Sequence, residues 1–270
     1  MPTSFGQVIP VTGPNLGFPG TISRFADRIV AARVFTPYTS TNNLSFGDPA
    51  VLIPNATGGV FDSIKDFVAH SVANAGLVAS YFAGFAVREV QSALTYNQGT
   101  TPGVQQVGYY QAGQMAEVAE RTSGTVQLSV GAPNAGDQVY SRVCLGSSAV
   151  PAGSIGDWET NPVASDLFTL TGVTGVAAGQ TALTLTATGV YVGQVVSGPG
   201  IAAGTYVVSG TGTAGSFSAI VLSQAITTAL TSTSPLTFSN LVALPNVVAR
   251  TGFVDVNNVF EITIKVRDAA

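Results

Sequence analysis

Few residues in this chain are of the types that carry chemistry. Glu117 and Glu120 could act as the acid and base of a glycoside hydrolase, which sets two carboxyls about one bond. Glu117 lies in Met115–Ala119, which reads as a strand, and residues three apart in a strand point to opposite faces. Solvated or salt-bridged carboxylates, with Arg121 and Arg142 in the same stretch, are the simpler reading. Asp157 and Glu159 share one side of an extended segment and could hold a hard cation. Calcium takes six or more oxygens, and only these two carboxylates are visible there. Residues 210–215, Gly-Thr-Gly-Thr-Ala-Gly, spell a dinucleotide fingerprint. That motif needs a helix N-terminus for the pyrophosphate and an acidic residue about 20 positions on. A strand-like run, Phe217–Leu222, follows instead. His70 is the single histidine and Cys144 the single cysteine, which removes most triads, most zinc sites and any internal disulfide. Serines and threonines without a positioned base are turn and strand residues. The expectation is no catalytic residue, no metal site and no cofactor.

The background that would position such groups points the same way. Charged residues are 9% of the chain, against roughly 25% in an average globular protein. Gly, Ala, Ser, Thr and Val fill the gap, which suits short strands, tight turns and a surface that touches other protein. The net charge of −4 comes with no basic stripe, so nucleic acid is not an expected partner. The N-terminus has no basic segment followed by an apolar core, and no run of about 20 apolar residues exists for a membrane span. We therefore expect synthesis in a cytoplasm and no membrane partner.

Along the chain, residues 1–23 carry Pro2, Pro10, Pro14 and Pro19 among glycines, which forbids a helix. The segment reads either as a frayed terminus or as an extended arm that orders on a neighbouring subunit, and Phe5, Val8, Ile9, Leu16 and Phe18, as anchors, favour the arm. Arg28–Phe35 reads as a strand and Pro49–Ile53 as a short buried run. Ile64, Phe67, Val68, Val72 and Ala75 recur at helical spacing. Ser63 with Asp66 resembles a capping box, so one short helix is expected over 62–74, with His70 on its polar side. Phe82–Leu94 reads as a strand in which Gly84 permits a bulge or close approach of another backbone. Three runs, Met115–Ala119, Thr125–Val130 and Gln138–Val143, read as a meander with turns at 121–124 and 131–137. Trp158 is expected on the rim of the core. From Leu167 to Ala249 there is no charged residue, and short strands alternate with turns such as Gly210-Thr211-Gly212. In Arg250–Val266 two strands flank Asn257-Asn258, a two-residue hairpin turn needing positive φ. Phe260, Ile262, Ile264 and Val266 form one apolar face.

The fold class expected is all-β: a β-barrel or sandwich-like host domain with an inserted β-rich domain, an extended N-terminal arm and at most one short helix. The boundaries expected are an arm over 1–23, a discontinuous domain over 24–165 plus 243–270, and an insert over 166–242.

GFAVREV (84–90), the block from Tyr109 to Val143 and ALPNVVARTGFVDVNNVFEITI (243–264) resemble the structural cement, or decoration, proteins of tailed-bacteriophage capsids. The insert's GQVVSGPGIAAGTYVVSGTG is similar to a module of phage structural proteins. Asn258 stands where that family's last turn has glycine. The resemblance implies a non-enzymatic virion protein on the outer capsid surface. It would bridge major capsid protein subunits against internal DNA pressure. It further implies a homo-oligomer, a trimer before a dimer. Glu117, Glu120, Arg121 and Arg142, with the arm's anchors, are then candidates for capsid or inter-subunit contact or for fold support. An adhesin-like or glycan-binding virion surface protein is the alternative, with the insert as host-contact unit and Tyr191 and Tyr206 as stacking platforms.

Overall fold

The computed structural model describes residues 16, 18–39, 42–55, 58–88, 108–146, 153–171, 173, 176–231 and 233–266. The strands of the first part are β1 (Ile22–Val34), β2 (Leu44–Ser45), β3 (Pro49–Ile53), β4 (Val60–Ser63), β5 (Phe82–Ala86), β6 (Tyr109–Tyr110), β7 (Met115–Val130), β8 (Gln138–Arg142) and β9 (Trp158–Thr160). Then come β10 (Leu167–Leu170), β11 (Ala182–Thr188), β12 (Val195–Ser197), β13 (Val207–Thr213), β14 (Ser216–Leu222), β15 (Leu236–Ser239), β16 (Leu241–Ala249) and β17 (Val259–Lys265). Two short helices, α1 (Ile64–His70) and α2 (Val78–Tyr81), stand between β4 and β5 with a 3-10 turn, Val72–Leu77, between them. The protein is all-β, with one short helix more than expected.

β7 organises the first sheet. Its 16 residues pair with four other strands. Register places β1 and then β9 along one edge, and β5 and then β17 along the other. The order β7-β9-β8-β16-β17, with β17 returning to β7, closes a five-stranded barrel; β1, β5, β3 and β4 extend from it. Closure leaves the barrel strands no free edge along their paired lengths. Among the described strand pairs, β7 and β9 alone run parallel. The barrel is filled by alternate residues, among them Val126, Leu128, Val139, Val247, Phe260, Ile262 and Ile264, as period-2 side-chain direction requires. The expected face of β17 is therefore the buried one.

The expected turn at 121–124 does not exist. Those residues are paired on both sides, with Ile22–Ile29 of β1 and with Ile262–Lys265 of β17. Gly124 was a turn signal in sequence, but its φ is not positive. It is glycine because a Cβ there would lie 2.3 Å from Cζ of Phe85. Gly84 fulfils both expected uses. The β3–β5 register shifts beside it, its φ is +147°, and a Cβ would lie 1.9 Å from the Ala119 carbonyl oxygen.

α1 starts where the sequence placed it, with the Ser63 hydroxyl accepting from Asp66 N–H at 3.1 Å. The capping box is not closed. The Asp66 carboxylate turns instead to the 39–42 segment, accepting from Thr39 N–H at 3.1 Å and from the Asn42 side chain. The Phe82–Leu94 strand ends at Ala86 within the described residues, and 89–94 lie outside them. Trp158 is not on a rim. It is 2% exposed, packs edge-on to Phe82, and donates from Nε1 to the Gly47 carbonyl at 2.7 Å. Sequence gave no reason to bury it, because the pairing of β9 between β7 and β8 is non-local.

The last connection is longer than a two-residue turn. Residues 250–258 join β16 to β17, and Phe253–Val256 are not a strand. Asp255 builds the turn: one carboxylate oxygen accepts from the N–H groups of Asn257 and Val259, at 2.8 and 2.9 Å. Asn258 does take a positive φ, 59°.

Residues 167–239 form two three-stranded sheets, β10-β15-β12 and β11-β14-β13. Leu183, Ile220, Leu236 and Phe238, fully or nearly fully buried, centre a cluster separate from the barrel core. The expected turn at 210–212 is strand. Gly210 and Gly212 belong to β13, and the chain reverses at Ala214-Gly215. Gly210 leaves room for the Phe217 ring, whose atoms a Cβ would meet at 2.5 Å.

Candidate functional site

β8 and β9 place a group of charges under cover. Alternation sends Val139 and Ser141 of β8 to one face of the sheet and Tyr140 and Arg142 to the other. Register pairs Tyr140 with Glu159 and Ser141 with Trp158, so Arg142 and Glu159 share the face opposite Trp158. The Arg142 guanidinium forks onto Glu159, Nε to Oε1 at 2.5 Å and Nη2 to Oε2 at 2.8 Å. Its Nη1 donates to Oδ1 of Asp166 at 2.8 Å. All three side chains are 3% exposed or less. Asn240 Nδ2 donates to Asp166 Oδ1 at 3.4 Å, and Gln194 Nε2 donates to Asn240 Oδ1 at 3.0 Å. Asp166 Oδ2 is buried with no hydrogen-bond partner. Burial opposes the Arg142 charge, but the two carboxylates outweigh it and raise its pKa above the ordinary value. Burial pushes Glu159 up; Arg142 offsets part of that, and Asp166 and Asp157 add to it.

Two acidic pairs lie elsewhere. Asp62, at the end of β4, is fully buried, and one of its oxygens accepts from Ser63 N–H at 2.7 Å. Burial first, and the neighbouring Asp66 charge second, push its carboxyl up to about 8. Asp48 and Asp157 line a cavity of about 310 Å³ with Ser45, Gln127 and Ser129. Burial, opposed by hydrogen bonds from Ser45 and reinforced by Asp157, pushes Asp48 up to about 7. Asp157 accepts from Ser129 Oγ at 2.5 Å and Ser154 N–H at 2.8 Å, while Glu159 is turned to Arg142. Among the described residues no group of three or more His, Cys, Asp or Glu is arranged to hold a metal.

The sequence-predicted contact residues are dispersed. Phe5, Val8 and Ile9 lie outside the described residues. Leu16 is half-buried and its N–H donates to Asp255 Oδ2 at 3.2 Å. Phe18 is exposed, under the Arg88 guanidinium at 4.4 Å from the ring centre, and its carbonyl accepts from Thr125 Oγ1 at 2.6 Å. The stretch from Leu16 thus folds back along β7 and the β16–β17 connection of its own chain. Glu117 is half-buried opposite Ala32. Glu120 is buried at a bulge, between the pairs Ala119–Val30 and Arg121–Ile29. Arg121 is half-buried opposite Lys265. Arg142 lies inside the molecule, with three of its N–H groups bound to its own chain, which is fold support. Tyr191 and Tyr206 are both half-buried. Sequence reasoning missed Asp166, Gln194 and Asn240. One signal was present: Asp166 is the last charge before the uncharged stretch.

The fold is thus a closed barrel with added strands and a satellite β cluster, with Arg142, Glu159 and Asp166 paired inside it. The family described as structural cement protein (E217 gp24/Pam3 gp6) matches residues 7–192, well over half of the 270-residue chain. The chain belongs to this family of phage structural cement proteins. It is a capsid-stabilising structural protein of the virion and not an enzyme. The blocks 84–90 and 109–143 fall inside the match, and 243–264 lies beyond it. No curated protein matches the chain. No helix among the described residues is long and apolar enough to cross a membrane.

Proposed function

We propose that the protein binds the outer surface of a tailed-phage capsid, bridges neighbouring major capsid protein subunits, and opposes the outward pressure of packaged DNA. The family match carries this reading. The barrel, 24–165 plus 243–270, is the capsid-binding unit, and 166–242 is an inserted unit with its own core. The separate apolar cluster within 173–238 supports that division. The active form is a homo-oligomer, a trimer before a dimer, made in the bacterial cytoplasm, with neither nucleic acid nor membrane as partner. The contact is repeated over the whole shell, so modest affinity at each position sums to firm attachment. The charge-free stretch 167–242 suits contact with a second subunit, because no charge must be desolvated there.

Purified virions test it. The protein is expected in fixed stoichiometry to the major capsid protein. Particles assembled without it are expected to lose DNA at lower temperature, and adding the purified protein back restores them. Its absence from purified particles, or unchanged heat resistance without it, sinks the reading.

A further inference from the structure

Among the described residues, 166–240 meet the barrel part through polar contacts, apolar contacts and a close backbone approach. Asp166, Gln194 and Asn240 form the polar side, over Arg142 and Glu159. A Cβ on Gly193 would sit 3.7 Å from Cγ1 of Val72 and 4.0 Å from the Cys144 sulfur. Gly76 approaches Gly204 so closely that a Cβ on it would lie 2.2 Å from the Gly204 carbonyl oxygen. Contacts of the apolar kind are non-directional and tolerate small rotations. The charged contact does not: a planar guanidinium held by two carboxylates accepts one arrangement. It is also costly, because three charges leave water and one oxygen of Asp166 is left unpaired. Stability alone is therefore a poor reason for it, whereas fixing one arrangement is a good one.

We propose that Arg142 is a positioning residue, the centre of a buried latch that fixes the 166–242 unit, through its single charge Asp166, at one angle on the barrel. The inference rests on the two-unit division above. A unit held at one angle meets a second subunit without the entropy loss of ordering a loose tether. The latch makes 166–242 a rigid extension of the capsid-binding barrel.

Two single-copy residues report on it. Cys144 is buried at the joint, its thiol 3.5 Å from the Val192 carbonyl oxygen that it donates to. Trp158 sits in the barrel core. The test uses the full chain under native conditions, with the rate of Cys144 labelling by an aromatic disulfide and Trp158 emission read on the same sample. Asp166→Asn and Arg142→Met are expected to label about tenfold faster or more, through local opening, with Trp158 emission unchanged. Arg142→Lys, which keeps the charge without the fork, falls between. Ile262→Val, deep in the barrel, serves as a control that lowers stability and leaves labelling slow. Unchanged labelling in both Asp166→Asn and Arg142→Met overturns the latch. A gain matched by Ile262→Val also overturns it, since the thiol would then be reached by global unfolding. A gain accompanied by a red shift of Trp158 emission overturns both the latch and the two-unit division. None of these outcomes bears on capsid binding, which the virion experiment decides separately.

Discussion

Replacing Gly84 with alanine tests one of the two closest glycine approaches among the described residues. The new Cβ would lie 1.9 Å from the Ala119 carbonyl oxygen and 2.8 Å from its carbon, where ordinary contacts begin at 3.4 Å. The obstacle is backbone. Ala119 belongs to β7, which pairs with β1 on its other edge, so it cannot retreat without disturbing that ladder. Overpacking of this kind costs about 1–3 kcal/mol. The φ of +147° adds roughly another 1–3 kcal/mol once a side chain is present. At about 2–4 °C per kcal/mol for a chain of this size, Tm falls by roughly 5–20 °C. Calorimetry with a matched urea titration reads it. Two further alanines separate the causes. Gly113, at φ +85°, has nothing within 4 Å of its Cβ position, so Gly113→Ala carries strain alone, about 1–2 kcal/mol. Gly124→Ala carries a clash without φ strain, chiefly against the Phe85 ring and also against the Thr21 carbonyl oxygen at 3.0 Å, and Phe85→Leu in the same molecule relieves the larger part. If Gly84→Ala costs no more than Gly113→Ala, the β5–β7 approach is not what demands glycine, and the reasoning fails.

Other perturbations have defined outcomes. Asp62 is raised from 3.8 to about 8, so its contribution to stability is full below about pH 4 and is lost as pH rises towards 8. Asp62→Asn flattens that decline, which urea midpoints across pH 4–9 reveal; an unchanged slope would falsify the acid-pair assignment. Arg142→Met leaves two buried carboxylates facing each other and costs about 3–5 kcal/mol at pH 7. Part of that loss returns as pH falls and the raised Glu159 gains a proton, so a loss that does not shrink toward acid pH refutes the account. Asn258→Gly, at φ 59°, relaxes a left-handed residue and shifts stability by between about 0 and +1 kcal/mol in denaturant melts. A clear loss there would mean that the Asn258 side chain has a structural role.

The legible parts of the fold were those that local pattern governs. The β17 face, the short Pro49–Ile53 run, the Ser63 cap and the two uses of Gly84 follow from side-chain period, capping chemistry and glycine's missing Cβ. The errors share one cause. Gly124, Gly210 and Gly212 have the same letter as a turn glycine, but in the structure they lie within strands. The ring of Phe85, 39 residues away in sequence from Gly124, decides that position, and Phe217 decides Gly210. Asp157 and Glu159 look like a cation pair until the pairing of β8 with β9 turns Glu159 to Arg142. Glu117 stays in its expected strand, whereas β7 carries Glu120 and Arg121 on past the expected turn, and half-burial and a bulge determine what the three can reach.

By itself, the sequence determined an all-β protein with an 83-residue stretch free of charge, 167–249, and the resemblance to capsid cement proteins. Those properties depend on composition, on alternation and on short motifs, which are local. Tertiary structure alone decided that β7 runs unbroken and closes a barrel, and that Trp158 is core. It also decided that Arg142 faces inward to meet Asp166, the residue at the edge of the uncharged stretch. Each of these is a pairing between residues far apart in the chain. Such a pairing is set by which surfaces can be buried together, and no window of neighbouring residues contains that information.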